Sequence, residues 1–341
     1  MHNSTFTFNC SEMLEISESP FLISVLSINS VICVMGVFCL VYSWKVMGDS
    51  KLMHFNLRLL LKLHCAALML HCVPRFFLHT IDLWYYFSTT NCYEMQPGSI
   101  RCFVLRFPYM FGMILSSTTT IFLLIERCFA TCKSKTYEHG YKYIGIIIVV
   151  AQIVCSLLLM ISVFHEYDFN EPHYYCSSLS IRSPMWVIVP EVCIMSMQLI
   201  ARVFNRILLR INKTIRTKSF TSTLSNRFQI ESNLRNIRLV QSFTICDLLF
   251  VFTCFIASAP IHYHSPNMAR ATYHALVEVV HFVPTYSIIM PLYLWVYTKK
   301  QRDNAVTTLQ AALSASPDCY FEILNDQLSM TRKKRNFFRR S

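Results

Sequence analysis

Residues 143–165 read YIGIIIVVAQIVCSLLLMISVFH, a run without a single Asp, Glu, Lys or Arg. Its length matches the roughly 20 helical residues that cross a hydrocarbon core, and it lacks the polar–apolar alternation of a half-buried strand. Working outward from it, similar apolar stretches lie at about 21–44, 54–80, 102–126, 184–209, 238–262 and 271–297, which makes seven candidate spans. The whole chain has the matching composition. Of its 341 residues 54% are hydrophobic and only 15% charged, with mean hydropathy +0.40, whereas a soluble domain carries about 25% charged residues. Six glycines, twelve prolines and no alternating segments between turn clusters favour helices over a transmembrane barrel. The expectation is an all-α membrane protein, a seven-transmembrane helix bundle with residues 1–20 ahead of it, 21–297 as the bundle and 298–341 as a tail.

Orientation follows from basic residues, which are retained on the cytoplasmic side of a membrane. They cluster after spans one, three, five and seven: Lys45 and Lys51; Lys133, Lys135 and Lys142; Arg210, Lys213, Arg216, Lys218, Arg227 and Arg235; then Lys299, Lys300, Arg302 and the run from Arg332 to Arg340. The opposite loops are acidic or nearly neutral. The amino terminus is therefore expected outside and the carboxyl terminus in the cytoplasm, and the net charge of +12 is accounted for by membrane topology rather than nucleic acid. Asn3-Ser4-Thr5 and Asn9-Cys10-Ser11 are glycosylation sequons on the side assigned to the outside, while a third, at Asn212, falls on the inner side. Residues 1–20 contain Glu12, Glu15 and Glu18 and no basic n-region, so the first span is expected to act as its own signal anchor. The longest segment between spans, 210–237, is expected to extend helices five and six past the membrane. Residues 299–316 read as a short amphipathic eighth helix on the inner leaflet, with Ala305, Val306, Leu309 and Leu313 on one face.

Most of the fifteen cysteines lie inside apolar runs, where a thiol is a small hydrophobe. Four are placed differently. Cys102 opens the third span and Arg127, beside Glu126, closes it, 25 residues away, or about 37 Å of helix. Cys176 sits in the loop between spans four and five, on the oxidising side of this topology, which makes Cys102 with Cys176 a candidate disulfide and Cys10 with Cys92 a second. Ionisable residues inside a bilayer are expensive and mark function or buried pairing. On span two His64, His71, Arg75, His79 and Asp82 recur at helical spacing, as do His274, Glu278 and His281 on span seven. With Glu191 of span five, the set Arg75, His79, Asp82, Glu191, His274, Glu278 and His281 forms a candidate ligand pocket; the competing reading is an ion pair between Arg75 and Glu278 or Glu191. Asp247 of span six is assigned to packing. No metal set and no cofactor is expected, since His274, Glu278 and His281 lack a recognisable ligand motif.

An outer cysteine and an inner acid–arginine pair on the third helix resemble the rhodopsin-like receptors, although Cys128 stands where those have an aromatic. More segments are similar to nematode serpentine chemoreceptors of class alpha/beta, or the related class alpha and class b. They are His54-Phe55-Asn56 with Leu59-Leu60 and His64; Leu70-His71-Cys72 with Arg75, His79, Asp82 and Leu83; Ile125-Glu126-Arg127 with Ala130-Thr131 and Tyr137-Glu138; and Arg227-Phe228-Gln229 with Asn233 and Arg235. The switch motifs of the wider group are incomplete: Met290-Pro291-Leu292-Tyr293 lacks the asparagine, and Pro260 lacks the preceding tryptophan. The resemblance implies a G-protein-coupled chemosensory receptor, not an enzyme, in the plasma membrane or the sensory cilium of a chemosensory neuron. Its partners would be an extracellular small molecule, a heterotrimeric G protein and the lipid bilayer, with Glu126 and Arg127 as the signalling switch. A ligand-gated channel with seven spans is the alternative, and it would place the amino terminus inside. A retinal photoreceptor is disfavoured because residues 271–297 contain no lysine for a Schiff base.

Overall fold

Where a soluble protein hides its apolar side chains, this one turns them outward. Phe38 is 72% exposed and Ile147 60%, while Asn56, His64, His71, Arg75, Gln152, Asp247 and Glu278 are buried. That inversion is stable only when the surrounding solvent is hydrocarbon, because each interior polar group then needs a protein partner. The computed structural model describes residues 9–49, 53–133, 142–165, 167, 169, 173–176, 185–218 and 224–314. Asn3 and the basic run 332–340 lie outside them.

The described residues contain helices and no strand. They are α1 (Cys10–Ser17), α2 (Pro20–Asp49), α3 (Phe55–Ser88), α4 (Cys92–Met95), α5 (Ser99–Cys132), α6 (Lys142–Phe164), α7 (Met185–Lys218) and α8 (Leu224–His264). A 3₁₀ turn over Ser265–Asn267 leads into α9 (Arg270–Val280) and α10 (Val283–Ser314). Among the described residues seven spans are long and apolar enough to cross a membrane, the seventh made of α9 and α10 together. The molecule is a seven-transmembrane helical bundle. Asparagine starts the short helices: the Asn9 side chain accepts from Ser11 N and that of Asn91 from Tyr93 N, satisfying amide groups that a first helical turn leaves free.

At the centre of the bundle α5 packs against α3, α6, α7 and α8, and α2 closes the ring between α3 and α10. The approach of α3 to α5 depends on Gly112. A Cβ there would lie 2.5 Å from Ala67 O and 2.7 Å from His71 N, both backbone atoms of α3. Two histidines of the span-two stripe cement the same contact, His71 Nδ1 to Tyr109 O (3.0 Å) and His64 Nδ1 to Ser116 O (3.2 Å).

Two features differ from the sequence expectations. Span seven is broken rather than continuous. Pro284 has no N–H to give Val280 O, so the regular pattern stops at His281 and Phe282, and Phe282 N turns back to Val280 O at 2.8 Å. The segment expected as a separate amphipathic eighth helix is instead the unbroken continuation of α10 as far as Ser314. Pro74, Pro108, Pro190, Pro260 and Pro291 all sit inside helices that run through them. The 210–237 segment is mostly helical, since α7 reaches Lys218 and α8 begins at Leu224, and Arg216 meets Glu231 at 3.0 Å between the two extensions.

Residues 9–20 do more than precede the bundle. Met13 and Ile16 of α1 pack with Cys92, Met95, Tyr174, Tyr175, Ala271 and Ala275 into an apolar cap over one end. Cys10–Cys92 and Cys102–Cys176 disulfides, a bond from Asn9 N to Tyr174 Oη (2.8 Å) and an Arg270–Glu12 pair (2.5 Å) fasten that cap.

Candidate functional site

The broken turn of span seven exposes backbone carbonyls inside the membrane, and Arg75 covers them. Its Nη1 donates to His281 O (2.8 Å), while Nη2 donates to Glu278 O (3.0 Å) and to the Glu278 carboxylate (2.8 Å). Its Nε donates to His79 Nε2 (3.1 Å). A planar guanidinium with five N–H groups suits this corner, where a lysine would supply a single point charge. Arg106 of α5 binds the other oxygen of Glu278 at 2.6 Å and donates through Nε to Cys176 O, next to the disulfide. The Tyr109 ring lies near both guanidinium carbons, 5.4 and 4.9 Å away, a cation–π arrangement. From the capping loop, Tyr175 Oη donates to Glu278 at 2.9 Å. Burial and the adjacent carboxylate push the Tyr175 phenol well above its ordinary range, which keeps it a donor.

The seven candidate pocket residues are therefore sorted into different tasks. Arg75, His79 and Glu278 engage one another. Asp82 is drawn away to Arg101 at 2.9 Å, and His274 lies against the Tyr175 ring at 4.8 Å. Glu191 and His281 remain on the wall of a cavity of about 70 Å³ between α5, α7, α8 and the α9–α10 turn. The rest of that wall is chiefly apolar, with Ile114, Ile194, Phe250 and Phe255 among its residues. Its mostly apolar wall with a few convergent polar groups has the chemistry of a small-molecule site, though the space is smaller than a drug-sized pocket.

Below the cavity, Asp247 of α8 ties four spans together. Thr120 and Gln198 each donate to it at 2.6 Å and Tyr286 at 3.1 Å. Its partners are neutral donors from α5, α7 and α10, in keeping with the packing role read from sequence.

The far end of α5 holds the second polar centre. Glu126 and Arg127, both buried, form a two-pronged pair through Arg127 Nε and Nη2. Arg127 Nη1 also donates to Asn233 Oδ1 of α8 (3.2 Å). Asn233 in turn donates to Asn212 of α7 (2.9 Å) and to Thr131 of α5 (3.1 Å), and Asn212 donates to Thr131 at 3.0 Å. One buried hydrogen-bond network thus locks the ends of α5, α7 and α8. It also buries the Asn212 amide to 2% exposure, which leaves that sequon no room for a glycan. Asn9, by contrast, is exposed.

Sequence reasoning overlooked Arg106, although a lone arginine within an apolar run carried the signal. It also passed over Arg101, Tyr175, Gln198 and Asn212 as partners. The contacts of these residues span 19 to 172 positions of chain, and helical periodicity reaches only to its own helix.

Comparison with known proteins agrees with this architecture. Serpentine receptor class alpha/beta-14 of Caenorhabditis elegans is 27% identical over 266 residues, covering 75% of this chain and 68% of that protein. Serpentine receptor class beta-16 of the same organism is 23% identical over 328 residues, 87% of this chain and 90% of that protein, and class beta-17 is 22% identical over 295 residues, 84% and 78%. Residues 7–329 match the serpentine type 7TM GPCR receptor class ab chemoreceptor, and the chain belongs to that family.

Proposed function

We propose that this chain is a plasma-membrane chemosensory receptor, of the sensory cilium, that binds an extracellular small molecule and signals to a heterotrimeric G protein. The supporting observation is the chain of polar contacts at the end of α5, where Arg127 is held by Glu126 and by Asn233 of α8. The amino terminus is outside, so the disulfide-capped end faces the ligand and the Arg127 end faces the cytoplasm. A ligand in the Glu191–His281 cavity touches α7, α8 and the broken turn at once, so it favours one arrangement of these helices over another. In the arrangement described here the network keeps α8 against α5. When α8 moves, Asn233 leaves Arg127 and the cytoplasmic end opens to the G protein.

Arg127→Ala is expected to reach the cell surface at normal levels and to bind ligand, yet give no ligand-evoked G-protein signal. Asn233→Ala removes the tether without removing the arginine, and is expected to raise signalling without ligand several-fold. Undiminished G-protein activation in Arg127→Ala would remove Arg127 from the mechanism. Glycan mapping at Asn3 and Asn9 tests the orientation, since occupancy requires that end to have entered the secretory lumen.

A further inference from the structure

Five carboxylates of the bundle differ in what they touch. Glu278 is shared by Arg75 and Arg106, Asp82 is bound by Arg101, Glu126 by Arg127, and Asp247 by three neutral donors. Glu191 is different: no hydrogen bond or ion pair to another described residue reaches its carboxylate, and it forms part of the cavity wall. An acid left over beside Phe250 and Phe255 is costly to keep charged unless something fills its place.

His281, Ser117 and Ser258 of the wall are acceptors too. His281 Nδ1 is engaged with Val277 O at 2.7 Å, which leaves Nε2 as the lone-pair nitrogen. Ser117 spends its hydroxyl proton on Met113 O (2.9 Å) and Ser258 on Phe255 O (3.1 Å). Both hydroxyls therefore offer oxygen to the space. The guanidiniums of Arg75 and Arg106 are turned to Glu278 and to backbone carbonyls. A carboxylate ligand would find a donor here only in a protonated Glu191, and none in the His281 ring nitrogen or the two hydroxyl oxygens. An ammonium group has N–H bonds to give and no acceptor demand.

Resting on the receptor reading above, we infer that the cavity takes a small protonated amine with a compact apolar body. Its ammonium is bound by Glu191, with the His281 ring nitrogen as second acceptor, and its apolar part lies against Phe250, Phe255, Ile114 and Ile194. The aromatic faces add a cation–π attraction for the same charge.

The test uses matched probes of one shape: isoamylamine, isoamyl alcohol and isovalerate. Binding is read on the purified full-length receptor as a saturable upward shift of thermal denaturation, and signalling in cells is read separately. Isoamylamine is expected to stabilise the wild type while the alcohol and the acid do not. Glu191→Gln should weaken amine binding about tenfold to hundredfold, as expected when a charged hydrogen bond is lost, and Glu191→Asp should recover part of it. Surface expression of both variants shows that they fold. Stabilisation by the alcohol or the acid in place of the amine, equal amine affinity in Glu191→Gln, or no shift with any probe would overturn the inference. The first two of these results leave the receptor reading standing. Glu191-dependent amine binding without any G-protein signal would uphold the amine site and overturn the receptor reading instead.

Discussion

At the scale of single residues, the energetics are set by charges held out of water. Glu278 is 1% exposed and faces Arg75 and Arg106, which are 0% and 5% exposed. A buried pair is costly to assemble, and removing one partner leaves the others with an unbalanced charge. Glu278→Gln leaves two guanidiniums with only neutral acceptors, so a stability loss of about 3–5 kcal/mol is expected. The loss should appear as a lower denaturation midpoint and reduced surface delivery. Arg106→Met keeps the Arg75 pair and the covered turn, so its loss should be smaller. If Glu278→Gln were as stable as the wild type, the cluster would not be what holds the broken turn.

Among the helices, the decisive contact is α3 on α5. No substitution at Gly112 is accommodated by a flexible side chain, because the atoms a Cβ would strike are backbone atoms of Ala67 and His71. Gly112→Ala must push α3 away and lengthen the His71 and His64 bonds to α5. Overpacking of this kind costs about 1–3 kcal/mol, measurable as a drop in the midpoint of thermal denaturation. The broken span belongs at this scale too. Proline removes one amide from the ladder, and Arg75 from a different helix supplies the donors that the freed carbonyls require.

Across the whole molecule, the cap joins distant parts of the chain. Cys10 and Cys92 close a loop with sequence separation 82, and Cys102 and Cys176 one of 74. A cross-link over such a loop stabilises by about 2–5 kcal/mol. Cys10→Ser with Cys92→Ser is therefore expected to lower the denaturation midpoint and to free α1 from the Tyr174–Tyr175 segment. Protease cleavage near residues 10–17 would report that release. Unchanged protease resistance would mean that Met13, Ile16 and the Arg270–Glu12 pair hold the cap without the disulfide.

The number of the seven spans was legible in the sequence, because apolar run length is a local property that the thickness of a bilayer makes decisive. The stripe on span two was legible for the same reason, since helical spacing alone puts Arg75 with His79 on one face; on span seven the spacing holds for His274 and Glu278, while the helix ends before His281. Which acid those residues meet was not. Arg75 pairs with Glu278, which Arg106, four residues after a disulfide cysteine, also binds, and Glu191 is left alone. The break of span seven was hidden for a related reason. Pro284 marks where a helix can stop, but a stop inside a membrane survives only if another helix satisfies the freed carbonyls, and Arg75 lies about two hundred residues earlier in the chain. Sequence by itself thus determined which solvent surrounds the protein and how often it is crossed. The tertiary structure decided which buried charges are spent on each other and which one is left to face a cavity.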